Sequence, residues 1–367
     1  MLDKIPSQGS KRQYMIQLDA LRALAVFGVL IHHYLPQDFI LNSRFHVGRL
    51  GVQLFFVLSG FLITGILLRC KETIDLRKQD RNLTIKRFYI RRFLRLLPAY
   101  YLAIILSIII AFQDIKPSLT WHLSYTSNIY FSNHSWDAIS SHFWSLSVEE
   151  QFYLVWPWVI FLTPKYHLLK VMLVVIATAP IFRLTCLVMG WTNGSLEYIF
   201  TFACLDSLAA GAILAFYTYY NHQYHKKLLC NFACWIGTPA FILLNFAHIP
   251  FIHSSVLLVI TSTVDSIFFI WLVDRAARGF SGSLGNFLEL KLITDIGKIS
   301  YGIYIFHLLA QVIVQKTLFH FAPAYFGSIG VKFTLSTAIT LMIAVLSWNF
   351  IEKPINHLKY RFEYIRS

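Results

Sequence analysis

Arg22 and His33 lie in one apolar stretch, LDALRALAVFGVLIHHY, residues 18–34. They are separated by about eleven helical steps of about 100°, roughly three turns. The guanidinium and the imidazole therefore share a helix face, on the order of 16 Å apart along the axis. His32 points about 80° away from that face. An imidazole at membrane depth suits removal of a proton from a hydroxyl, and a guanidinium suits an anion. The competing reading is an arginine that snorkels to headgroups and a histidine that caps a helix end. A second set lies in KRFYIRRFLRLLPAYY, where Arg92 and Arg95 are i, i+3 neighbours with Arg87 and Arg91 close by. Such a forked pair suits a phosphate or pyrophosphate; a topology signal that also contacts anionic lipid is the alternative. A third set lies in HFWSLSVEEQFYLVWPW, residues 142–158, where Ser145, Glu149 and Tyr153 repeat at i, i+4 and Glu150 lies about 100° round. A helix entered here from the outer side places Glu149 on the order of 10 Å deep, comparable to His33. An imidazole oriented by a carboxylate is a general-base pair; a structural ion pair is the other reading.

These sets need helices to hold them, and the composition says of what kind. The chain of 367 residues is 56% hydrophobic and only 14% charged, with 32 Phe and 19 Tyr. That departs from soluble domains and fits lipid-facing surfaces with interfacial aromatic belts. Apolar windows of membrane-spanning length fall at about 18–35, 49–68, 92–112, 142–162, 168–189, 197–218, 229–248, 253–273, 297–316 and 331–351, which predicts an all-α bundle of about ten transmembrane helices. The net charge of +14 is a topology signal rather than a nucleic-acid footprint. Lys4, Lys11 and Arg12 precede the first span, and the second loop is densely basic from Arg69 to Arg95. Later even-numbered loops add Lys165, Lys226, Lys227, Arg275, Arg278 and Lys291, and the tail adds Lys353, Lys359, Arg361 and Arg366. The positive-inside rule then puts both termini in the cytoplasm. The expected organisation is a cytoplasmic segment over 1–17, a transmembrane domain over 18–354 and a cytoplasmic tail over 355–367. The outer stretch 113–141 holds Trp121, His122, Tyr125, Asn128, His134 and Trp136, a mix that suits sugar stacking and an interfacial belt equally.

Within the spans, Gln53, near the outer end of the second, is placed to line a site, and Ser59 and Gly60 read as small packing residues. Pro98 predicts a kink. In IGKISYGIYIFHLL, Ser300, Tyr304 and His307 share a face at i, i+4, i+7. Gln53, Ser145, Tyr153 and Tyr304 are the candidate substrate contacts. Arg183 and Asp206 read as a pair holding helices together. The five cysteines, Cys230 and Cys234 included, complete no ligand set, so no metal is expected.

Six segments, LDALRALAVFGVLIHHY, GVQLFFVLSGFLIT, FYIRRFLRLLPAYY, HFWSLSVEEQFYLVWP, ISYGIYIFHLL and FIEKP, occur in this order and span the chain. Together they resemble acyltransferase family 3, the polytopic membrane O-acyltransferases. The resemblance implies transfer of an acyl group, usually acetyl from cytoplasmic acetyl-CoA, to hydroxyls of extracytoplasmic glycans. O-antigen and exopolysaccharide are the leading expectation, with peptidoglycan among the others. It implies that the family's first-helix residues fall on Arg22 and His33, its cytoplasmic arginine pair on Arg92 and Arg95, and its fourth-helix acid on Glu149; His32 is an additional imidazole. Acetyl-CoA would be a substrate, with no permanently bound cofactor, and the chain would sit in a bacterial inner membrane among lipid and a lipid-linked or cell-surface glycan. The short tail after FIEKP resembles the stand-alone form without a hydrolase-like domain. The rival class is a transporter or flippase for a lipid-linked or anionic solute, using the same charges as a relay.

Overall fold

The computed structural model describes residues 14–77, 80–191, 195–246 and 254–363. Lys4, Lys11, Arg12, Lys78 and Arg366, among the topology charges, lie outside the described residues. Among the described residues the chain is helical without strands. The long elements are α1 (Ile16–Tyr34), α2 (Val47–Arg77), α3 (Arg81–Ile115), α4 (Phe143–Leu162), α5 (Lys165–Val188), α6 (Leu205–Tyr219), α7 (Gln223–Phe232), α8 (Thr238–Phe246), α9 (Ser254–Arg278), α10 (Lys291–Lys298), α11 (Ser300–Phe321) and α12 (Ile329–Ser347). A π-helical turn, Ala233–Gly237, joins α7 to α8. Among the described residues eight stretches are long and apolar enough to cross a membrane: α1, α2, α3, α5, α6, α7 with α8, α11 and α12. The other two expected spans fall on α4 and α9, of 20 and 25 residues. The architecture is a polytopic membrane bundle, as the apolar windows predict.

The centre of the bundle is α2 against α6. A Cβ added at Gly60 of α2 would strike the Leu208 carbonyl, and one at Gly211 of α6 would strike the Val57 carbonyl. The two backbones therefore touch directly, which only glycine permits and which membrane helices use to gain dispersion contact. On its other side α2 meets α1, where Gly51 lies on the Ala25 carbonyl. The short amphipathic α10 closes over the start of α1, Gly297 resting on the Asp19 carbonyl.

Two expectations about local shape are corrected. Pro98 is carried inside α3, and the non-helical dihedrals lie at Ala111 (φ −147°, ψ 57°), near the outer end of the helix. Beside the proline, the Tyr301 hydroxyl donates to the Leu96 carbonyl at 2.8 Å, so tertiary contacts support the chain there. The stretch between α3 and α4 is also no simple outer belt. It folds back into the bundle as short turns, Leu119–Leu123 and Ser127–Phe131, with His122, Ser127 and Asn128 fully buried. The Tyr100 hydroxyl donates to the His122 carbonyl at 3.0 Å, and Tyr125 stacks on the Tyr100 ring at 4.2 Å. Tyr100 lies on the order of 20 Å from the outer end of α3 by helical rise. Irregular backbone at that depth is tolerated because it is buried in protein and contacted by polar partners: Gln151 Nε2 donates to the Tyr125 carbonyl and to Asn128 Oδ1, both at 2.9 Å. Trp121 and Trp136 remain at the surface.

Candidate functional site

One consequence of the re-entrant stretch is that α4 starts deep. His142, its capping residue, lies against α11 and bonds the Ile305 carbonyl through Nε2 at 3.0 Å. Four imidazoles gather there. The His33 ring lies 4.9 Å from His32 and 4.9 Å from His307, and His307 lies 4.6 Å from His142. The helical phase of α1 separates the two neighbours. His33 turns toward α11, while the His32 ring packs on Gly48 at the start of α2, with no room for a Cβ there. Two hydrogen bonds fix α1 to α11 at this level: Gln311 Nε2 donates to the His33 carbonyl at 2.8 Å, and the Tyr34 hydroxyl donates to the His307 carbonyl at 2.8 Å. Beneath the imidazoles, the Tyr304 and Ser145 hydroxyls are 2.5 Å apart and both reach the His142 carbonyl, at 3.1 and 3.2 Å.

The guanidiniums form the other end. Arg92 lies over the Tyr153 ring, 5.1 Å from its centroid. Arg22, Tyr153, Tyr301 and Glu149 surround Arg95, which stays exposed. Arg22 pairs with Asp19 at 2.5 Å, and Asp19 also accepts from the Tyr14 hydroxyl. Burial and that bond push Tyr14 up to about 12, so it stays a donor at neutral pH.

Between the ends runs the predicted stripe of α4. Ser145 belongs to the imidazole end and Tyr153 to the guanidinium end, with Glu149 between them, one turn from each. The carboxylate of Glu149 accepts from Ser59 at 2.8 Å and from Tyr153 at 3.1 Å. His33, Ser59, Glu149, Arg22 and Arg92 are all partly rather than fully buried.

This placement corrects the expected dyad. Glu149 bonds Ser59 and Tyr153 and lies among the arginines; the groups acting on His33 are His307 and His32. The depth comparison failed because it started α4 at the membrane surface. Ser59 is likewise more than a packing residue, whereas Gly60 is one. Gln53 is not brought to His33 either. It accepts from Arg49 at 3.4 Å and lines a separate small polar cavity with Trp144, Arg183, Glu197 and Tyr198. Arg183 pairs with Asp206 at 2.6 Å and donates to the Ala203 and Val259 carbonyls and to Thr263, a bonded and buried helix tie. Arg49 pairs with Asp265, which also accepts from Asn245. Sequence reasoning missed His142, whose only signal is its place at the head of the α4 motif; His307 was marked by its shared face with Tyr304. Among the described residues no set of three or more His, Cys, Asp or Glu side chains is arranged to hold a metal ion.

Comparison with known proteins agrees with this architecture. A family model described as an acyltransferase domain matches residues 15–351. The chain is 31% identical over 372 residues to the peptidoglycan O-acetyltransferase OatA of Listeria monocytogenes, an alignment covering 94% of this chain and 56% of that protein. It is 29% identical over 385 residues to the putative peptidoglycan O-acetyltransferase YrhL of Bacillus subtilis, covering 95% and 56%. It is 29% identical over 373 residues to the O-acetyltransferase OatA of Staphylococcus aureus, covering 94% and 57%. The chain thus spans about half the length of the curated relatives it matches. No solved structure matches.

Proposed function

The chain belongs to acyltransferase family 3, and on that premise we propose that it is a membrane O-acetyltransferase moving an acetyl group from cytoplasmic acetyl-CoA to a hydroxyl of an extracytoplasmic cell-wall glycan. The observation that supports the reading is the α4 stripe of Ser145, Glu149 and Tyr153, with imidazoles packed near one end and guanidiniums near the other. Arg92 and Arg95, with Arg22 further in, bind the phosphates of the donor at the end that basic loops assign to the cytoplasm. The pantetheine arm follows Tyr153, Glu149 and Ser145 inward and brings the thioester to His33. The carboxylate of Glu149 offsets the arginines and, through Ser59 and Tyr153, holds the passage polar at its middle.

At His33 two routes give the same net reaction, and the two-step one adds a C–N bond that forms as C–S breaks and is itself broken as C–O forms. In direct transfer the imidazole takes the acceptor's hydroxyl proton as its oxygen attacks the thioester carbonyl. The C–O bond forms, the C–S bond breaks, and the proton finishes on the departing thiolate. In the two-step route the imidazole itself accepts the acetyl group and passes it on. The names of the relatives favour peptidoglycan as acceptor over the O-antigen or exopolysaccharide expected from the family resemblance. Trp121 and Trp136, exposed beside the re-entrant stretch, offer rings on which a sugar can stack. The site of action is then the cytoplasmic membrane.

Membranes carrying the protein, supplied with acetyl-labelled acetyl-CoA and peptidoglycan precursor, test this. Label is expected on glycan hydroxyls with the wild-type chain. His33→Ala is expected to lower transfer by about 10²- to 10⁴-fold, the contribution of a general base, with donor binding retained. Solute movement without any labelled glycan would replace the enzyme by the transporter reading.

A further inference from the structure

We infer that His307 receives the proton that His33 must shed during transfer, with His142 behind it as a second acceptor. The inference rests on His33 as the residue of acyl transfer and assigns it a partner. A carbonyl oxygen only accepts hydrogen bonds, so the contact of His307 Nδ1 with the Tyr304 carbonyl at 2.6 Å places the ring proton on Nδ1. His307 Nε2 is then a bare lone pair. By the same rule the bond of His142 Nε2 to the Ile305 carbonyl leaves His142 Nδ1 as a lone pair. Both nitrogens are buried without a hydrogen-bond partner, in residues 0% and 2% exposed. Buried acceptors left open destabilise a fold, and such an arrangement fits a site where a proton arrives during turnover.

The neighbours leave this role to imidazole. His33 contacts His307 and His32; His307 contacts His33, His142, Tyr34 and Tyr304. The carboxylate of Glu149 is occupied by Ser59 and Tyr153. Either route of transfer leaves His33 carrying one proton too many: in direct transfer it has taken the hydroxyl proton, and in the two-step route acetylation of one ring nitrogen makes the other acidic. That proton passes to His307 Nε2 and ends on the thiolate released when the C–S bond breaks, so acceptor and acetyl-CoA yield ester and free thiol. His307 acts through His33 and is a positioning and proton-accepting residue rather than one that touches substrate.

The test uses the full chain in lipid nanodiscs with acetyl-CoA and a soluble peptidoglycan oligosaccharide. His307→Asn keeps an N–H for the Tyr304 carbonyl and removes the base. It is expected to lower kcat by about 10²-fold, with the KM for acetyl-CoA and the unfolding temperature unchanged. His307→Ala leaves a ring-sized space, and added imidazole is expected to restore turnover in a saturable way. Wild-type kcat in His307→Asn, or no imidazole rescue of a folded His307→Ala, would overturn the inference while an inactive His33→Ala leaves the acetyltransferase reading standing. Full activity in His33→Ala would instead remove the premise.

Discussion

His32 and His33 are adjacent in sequence and about 100° apart on the helix, and that angle divides their roles. His33 meets the imidazoles of α11 and α4; His32 packs on Gly48. Replacing His32 by Ala is therefore expected to retain most of the transfer rate, whereas His33→Ala abolishes it, a contrast that steady-state acetylation of the two variants reads directly. Arg92→Ala combined with Arg95→Ala should raise the dissociation constant for acetyl-CoA measured by calorimetry, and unchanged binding would leave these arginines as topology determinants. Much of this was legible at the level of single residues. Helical phase separated His33 from His32, and the i, i+4 spacing put Ser145, Glu149 and Tyr153 on one stripe of α4, where Glu149 accepts from Tyr153. The partner of Glu149 was not legible, because a side chain's depth depends on where its helix begins. The chain before α4 gives no periodic sign that it turns back inside. Nor does any spacing rule tie Ser59 on α2 to Glu149, some ninety residues away.

At the scale of elements, the contact between α2 and α6 is a direct backbone-to-backbone joint and makes its own prediction. Gly60→Ala drives a Cβ onto the Leu208 carbonyl, and such overpacking costs roughly 1–3 kcal/mol. Gly65→Ala, on the same helix, meets nothing within 4 Å and should be neutral or stabilising by about 0.5–1 kcal/mol through helix propensity. Thermal unfolding of the two variants in one detergent compares them; equal shifts would mean that backbone contact does not hold this joint. The Arg183–Asp206 tie predicts that Arg183→Leu alone costs about 3–5 kcal/mol by leaving a buried carboxylate unpaired, measured in the same way. The spans themselves were legible because membrane thickness imposes a length that apolar runs reveal. The re-entrant stretch was not, since Trp, Tyr, His and Asn occupy membrane interfaces and buried turns alike. The reach of α3, from Arg81 well before its apolar window, was hidden by its charges.

The molecule as a whole has a direction. Basic loops mark one side as cytoplasmic, and Arg22, Arg92 and Arg95 lie toward it. The imidazoles lie toward the other, and the α4 stripe joins them. The acetyl group is expected to travel between these ends, entering with its donor on one side and leaving on an acceptor at the other. Sealed, oriented vesicles containing the protein test it most directly, with labelled acetyl-CoA confined to one face and glycan acceptor to the other. Labelled glycan is predicted only when acetyl-CoA is on the face bearing the Lys- and Arg-rich loops. Equal labelling when donor and acceptor share the opposite face would contradict the claim.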